Sequence, residues 1–271
     1  MAQKSVTVGE QELAYRESSG TGPTVVLVHG NSSSGRTWRA LVDGPFGERF
    51  RCLALDLPGH GDSPPAPAPE AYSLPGYAGN LVDFMAATDA ADAVVVGWSL
   101  GGHIAIEAAP RLPDAAGFAI FGTPPVSSPA QLGEAFLPNP AVNIGFSPEV
   151  DEEAARAYAT SFVAPGSTHP VTGFVADILA TDGAARAGLA ASLGEGRFAD
   201  EVAIVAGLTR PLAVLHGADE QLVSLDYLRT VPVPTLWRGE VRILPATGHA
   251  PHEEAPEVFA AVLAEFLSDL G

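Results

Sequence analysis

The chain has 271 residues and a formal net charge of −18, from 14 Lys and Arg against 32 Asp and Glu. So acidic a surface repels phosphate backbones and anionic headgroups, which excludes nucleic acid and membrane surfaces from the expected partners. Met1 to Val6 lacks the apolar core of a signal peptide, no apolar run reaches the ~20 residues that span a bilayer, and the single Cys52 forms no internal disulfide, so a cytoplasmic protein is expected.

Taken in chain order, Val6–Val8 and Glu12–Tyr15 predict an opening hairpin that turns at Gly9. Val25–Val28 is apolar at each position, without alternation, and predicts a strand buried on both faces. It runs into His29-Gly30-Asn31-Ser32-Ser33-Ser34-Gly35. Leu53–Leu55 predicts the next buried strand, with Cys52 beside it as a small core hydrophobe. The following Asp56 to Ser63 segment brings His60 close to carboxylates, but its Pro and Gly fit a turn and no ligand spacing is present, so no metal is expected. Pro64–Pro69 is too broken for helix or central strand, and Ser73 predicts the cap of a helix to about Ala87 with Pro75 in its first turn.

Ala93–Val96 is a third buried strand, followed by Gly97-Trp98-Ser99-Leu100-Gly101 and a helix over Gly102–Ala108. Gly117–Phe121 predicts a fourth strand. From Pro124 to about Gly207 the strand rhythm stops, with helical pieces at Glu149–Thr160 and Gly173–Ala180. Leu212–Leu215 and Val241–Leu244 restore the strands, and Pro256–Leu270 closes the chain as a helix. The alternation predicts an α/β class with a mostly parallel sheet flanked by helices: a core of residues 1–123 and 208–271 and a helical cap insertion over 124–207.

A strand, a tight turn with Ser99 at its apex and a helix form the nucleophile elbow of an α/β-hydrolase fold. Serine at neutral pH needs a base, and the base needs an orienting acid, in the chain order Ser, acid, His. His249, in Thr247-Gly248-His249-Ala250-Pro251 after the last strand, is the expected base. The acid falls in His216-Gly217-Ala218-Asp219-Glu220, where spacing from the glycine selects Glu220 and the general commonness of aspartate keeps Asp219 as second choice. The oxyanion hole is expected from the N–H groups of Leu100 and Asn31, with the Asn31 amide also available to substrate. His103, one helical turn after Ser99, reads as packing of the elbow helix, and His252 as a pocket-rim or solvated residue.

The blocks His29–Gly35, Gly97–His103, Gly122–Val126 and Gly248–Pro251 resemble the metal-independent N-acyl-homoserine lactone lactonases of the α/β-hydrolase superfamily. That resemblance implies opening of a quorum-sensing lactone ring by a Ser-His-Glu triad without a cofactor, which favours Glu220, and it implies a substrate-contacting tyrosine at Tyr158. Trp98, Phe136, Phe146, Phe162 and Phe174 are further pocket candidates. The long Pro165–Pro170 stretch and His252 depart from the family pattern on the expected acyl-chain side. The expected partner is a small lactone or ester. A general carboxylesterase on small esters, or a perhydrolase-like side activity, uses the same residues, and a lactone-sensing receptor on a hydrolase scaffold is the alternative of another class. Ser99 at the apex argues against dehalogenases and epoxide hydrolases of this fold, which use aspartate.

Overall fold

The computed structural model describes residues 2–271. Its strands are β1 (Ala2–Val8), β2 (Gln11–Glu17), β3 (Gly22–Val28), β4 (Phe50–Leu55), β5 (Val94–Trp98), β6 (Gly117–Phe121), β7 (Leu212–Gly217) and β8 (Arg242–Leu244). They form one sheet in the order β1-β2-β4-β3-β5-β6-β7-β8. β1 and β2 are an antiparallel hairpin joined antiparallel to β4, and the six strands from β3 to β8 are mutually parallel. β5 and β6 are buried at each position, because helices cover both faces of the central strands and leave no solvated side for polar residues. Cys52 lies in this core, where burial pushes its thiol up to about 12.

The helix predicted after Ser73 spans Leu74–Ala87, and the Ser73 hydroxyl accepts the Gly76 N–H at 3.2 Å as its cap. Asp56 ties two turns together by accepting the backbone N–H groups of Gly35 (2.5 Å) and Asp62 (3.0 Å). Between β6 and β7 no strand occurs among the described residues. This insertion carries the helices Glu152–Thr160, Thr172–Ala180, Gly183–Gly194 and Glu201–Gly207. The first begins later than the sequence pattern suggests because Asp151 accepts the Ala154 N–H and sets the cap there. The last two are Ala- and Gly-rich and gain their faces only by packing, so their sequences carry little periodic signal.

Strand order reverses at β3, whose neighbours β4 and β5 lead to opposite halves of the sheet. At such a switch point the loops leaving the carboxyl ends of the strands diverge and open a crevice. Asn31 follows β3, Ser99 follows β5, Glu220 follows β7 and His249 follows β8, so all four sit on that rim. No helix among the described residues is long and apolar enough to cross a membrane.

Candidate active site

Ser99 occupies a backbone conformation with φ 52° and ψ −118°, sparsely populated by residues with a side chain. The turn that imposes it is crowded on both sides: a Cβ at Gly97 would lie 2.4 Å from the Gly101 carbonyl oxygen, and one at Gly101 would lie 2.2 Å from that of Val28. Both glycines are therefore dictated by the approach of strand to helix. The Ser99 hydroxyl makes no hydrogen bond among the described residues. It faces a cavity of about 330 Å³ whose wall also carries His249, Asn31, Leu100 and Tyr158.

His249 Nδ1 lies 3.0 and 2.9 Å from the two carboxylate oxygens of Glu220, and both side chains are only 2% exposed. Burial pushes the Glu220 carboxyl up, but the neighbouring His249 and the Leu222 N–H donated at 2.8 Å outweigh it and hold the group below the usual carboxylate range. A carboxylate on Nδ1 keeps the proton there and leaves the Nε2 lone pair as the basic position. Trp98 fixes the histidine from behind by donating its indole N–H to the His249 carbonyl at 2.8 Å. Asp219, the second-choice acid, does not meet His249: its side chain is exposed, and only its backbone N–H is engaged, with the Thr247 carbonyl at 2.9 Å.

The backbone N–H groups of Asn31 and Leu100 have no protein acceptor among the described residues. The Asn31 side-chain amide is not simply free for substrate. It donates to the Gly145 carbonyl at 2.6 Å and so ties the loop after β3 to the insertion. Its neighbour Ser32 donates to the side-chain Oδ1 of Asn31 at 3.2 Å, and Ser34 caps the following turn through the Arg36 N–H.

Of the expected pocket residues, Tyr158, Phe136 and Phe146 line the cavity. Burial pushes the Tyr158 phenol up, and its hydroxyl has no protein partner among the described residues. Trp98, Phe162 and Phe174 do not line it: Trp98 is 1% exposed, and the three rings pack on one another behind the site. His252 is neither rim nor solvated. It is buried against Trp38, Trp98 and Phe121 with Nε2 2.7 Å from the Thr37 hydroxyl, and burial holds it well below its ordinary value. The Pro165–Pro170 stretch is likewise absent from the cavity wall, so neither departure touches the pocket. His103, expected to pack the helix, is instead on the wall, with Nδ1 2.8 and 2.9 Å from the oxygens of Glu201. Its place one turn from Ser99 was the available signal; Glu201, 98 residues away, gave none.

The model of the alpha/beta hydrolase family matches residues 25–262. The chain belongs to this family. It is a hydrolase with an eight-stranded, mostly parallel sheet. A pimeloyl-acyl-carrier-protein methyl ester esterase of Methylococcus capsulatus is 31% identical over 216 residues, 78% of this chain and 82% of the relative. A 2-(acetamidomethylene)succinate hydrolase of Mesorhizobium japonicum is 26% identical over 97% of this chain and 94% of its own length. Among solved structures, the N-acyl homoserine lactonase AidH complexed with N-butanoyl homoserine is 37% identical with a TM-score of 0.95, covering 100% of this chain and 97% of that one. A mutant of AidH complexed with N-hexanoyl homoserine lactone is 36% identical with the same TM-score, over 100% and 98% of the two chains.

Proposed function

We propose that this hydrolase opens the lactone ring of N-acyl-homoserine lactones through a Ser99-His249-Glu220 triad. The observation that carries the proposal is one cavity holding a free Ser99 hydroxyl, the Glu220-bound His249 ring and an unpartnered Tyr158 hydroxyl among apolar walls that include Phe136 and Phe146. Such a wall suits a neutral, amphipathic substrate with one hydrogen-bonding amide and an alkyl tail. The 0.95 TM-score with AidH over the full chain supports the same substrate class.

In this mechanism His249 Nε2 takes the Ser99 proton as the hydroxyl attacks the lactone carbonyl. The Asn31 and Leu100 N–H groups donate to the developing oxyanion, and Glu220 stabilises the imidazolium. Collapse expels the ring oxygen, which His249 protonates, and the new hydroxyl stays attached to the acyl group. Water activated by His249 then attacks the acyl-enzyme and releases N-acyl-homoserine. Tyr158 donates to the substrate amide, and residues 124–207 act as the cap that closes over the acyl chain. Loss of the lactone signal, quorum quenching, is the consequence.

The relative at 31% identity acts on a methyl ester, which favours a carboxylesterase as the second reading. The two part on turnover. Ring opening of N-butanoyl and N-decanoyl homoserine lactone, followed by pH-stat beside p-nitrophenyl acetate and butyrate, is expected to show kcat/KM higher for a lactone than for either ester. Fast ester cleavage with negligible ring opening would replace the lactonase with a carboxylesterase, and lactone binding with a single turnover would replace it with a receptor.

A further inference from the structure

His103 and Glu201 form a second histidine–carboxylate pair on the cavity wall, outside the steps assigned above. Glu201 is fully buried, and its carboxylate accepts the Val126 N–H at 2.9 Å as well as His103 Nδ1. A buried carboxylate is costly unless its oxygens are satisfied, so this one fixes the His103 Nδ1 proton and the tilt of the ring. Nε2 then has no protein partner among the described residues, and the ring lies on the wall of the cavity next to Phe136, with centroids 6.4 Å apart. A purely alkyl ligand gives no reason for this arrangement, since leucine at 103 would pack there without a desolvated ion partner.

We propose that His103, held by Glu201, is a specificity residue that receives a hydroxyl at the third carbon of the acyl chain. This rests on the lactonase reading above. Ser99 stands at the N-cap of the helix Leu100–Ala108 and His103 lies one turn along it, about 5 Å of helix rise, with its N–H bonded to the Ser99 carbonyl, and both residues line the same cavity. Five bonds separate the lactone carbonyl carbon from the third acyl carbon, a comparable span. With the reacting carbonyl on Ser99, that carbon reaches the His103 ring while the rest of the tail continues over Phe136. A hydroxyl both donates and accepts, so it pairs with Nε2 in either protonation state, and a bare methylene pairs with it in neither. Glu201 is the positioning residue of the pair.

The test compares N-(3-hydroxyhexanoyl) with N-hexanoyl homoserine lactone. The ratio of kcat/KM is measured on single preparations of the wild-type enzyme and of His103→Leu, His103→Gln and Glu201→Gln, because a ratio cancels the fraction of folded enzyme. Calorimetric binding of both lactones to Ser99→Ala reads the same preference without turnover. The wild-type ratio is expected near tenfold, as for one net hydrogen bond. It should fall to about one in His103→Leu, to an intermediate value in Glu201→Gln, and be partly restored in His103→Gln. Equal ring opening of both lactones by the wild type, or a preference retained in His103→Leu, overturns the subsite and leaves the lactonase reading standing. Preferential binding to Ser99→Ala without ring opening by the wild type supports the subsite and overturns the lactonase reading. Neither binding nor opening of either lactone overturns both.

Discussion

Replacing Glu220 by Gln removes one charge and almost no volume from the site. In the proposed mechanism His249 begins as the neutral base, so its contact with Glu220 is then a charge–dipole hydrogen bond. In the transition state the ring has taken the Ser99 proton, and a full charge pair forms across 2.9 Å. At an effective dielectric constant of about 20, unit charges at that distance attract by about 6 kcal/mol. A glutamine oxygen still accepts from Nδ1 and recovers about 1–2 kcal/mol. The remaining loss of about 4–5 kcal/mol falls on the transition state alone and corresponds to three to four decades of kcat. KM should move little, because Glu220 does not line the cavity. Initial rates of lactone opening on purified wild-type, Glu220→Gln and Asp219→Asn proteins, with matched circular dichroism, measure this. Asp219→Asn is expected within about twofold of wild type, since its carboxylate is exposed and away from His249. Retention of more than a tenth of kcat in Glu220→Gln, or an equal loss in Asp219→Asn, would refute the assignment.

Gly145→Ala would place a methyl 2.5 Å from the Tyr158 hydroxyl and 2.9 Å from Asn31 Nδ2. It should lower kcat/KM about tenfold or more by displacing both groups, with little change in melting temperature; wild-type kinetics would contradict that placement. Trp98→Phe leaves the His249 carbonyl without its 2.8 Å donor and should cost about 2 kcal/mol in urea unfolding, where an unchanged midpoint would count against it. Burial lowers the folded-state values of His29 to about 4 and His60 to about 3, and holds His252 well below its ordinary value. The unfolded chain then binds more protons below about pH 6.5, so stability falls as the pH is lowered, by about 2–3 kcal/mol at pH 4.5 for each of His29 and His60, and His252 acts in the same sense. Glu253, pushed up to about 7 by burial, acts in the opposite sense and offsets about as much as one of these histidines. Urea midpoints at pH 7, 5.5 and 4.5 should therefore decline, and a flat or rising series would contradict this sum.

Features set by local chain geometry were readable before the fold. The apolar runs of β3, β5 and β6 need no partner to declare burial, and Gly97-Trp98-Ser99-Leu100-Gly101 encodes its turn in the two close approaches that only glycine permits. Glu220 was favoured over Asp219 by spacing and by family resemblance, and the hydrogen bonds to His249 fall on Glu220. Features made by long-range contact were not readable. Phe136 and Phe146 reach the cavity while Phe162 and Phe174 pack behind it, a division set by which face of the insertion meets the core rather than by residue type. His252 looks polar in sequence, yet the Thr37 hydroxyl, 215 residues away, satisfies its Nε2 and lets it be buried among aromatic rings. The Asn31–Gly145 and His103–Glu201 contacts likewise join the loop after β3 and the helix Leu100–Ala108 to the insertion across 114 and 98 residues.

The most direct test of the central claim is kcat/KM for N-hexanoyl homoserine lactone in excess chelator, measured for the wild-type protein and for Ser99→Ala. Ring opening should be unaffected by chelator in the wild type and reduced by about four decades or more in Ser99→Ala. Ring opening that survives in Ser99→Ala, or that chelator abolishes in the wild type, would contradict it.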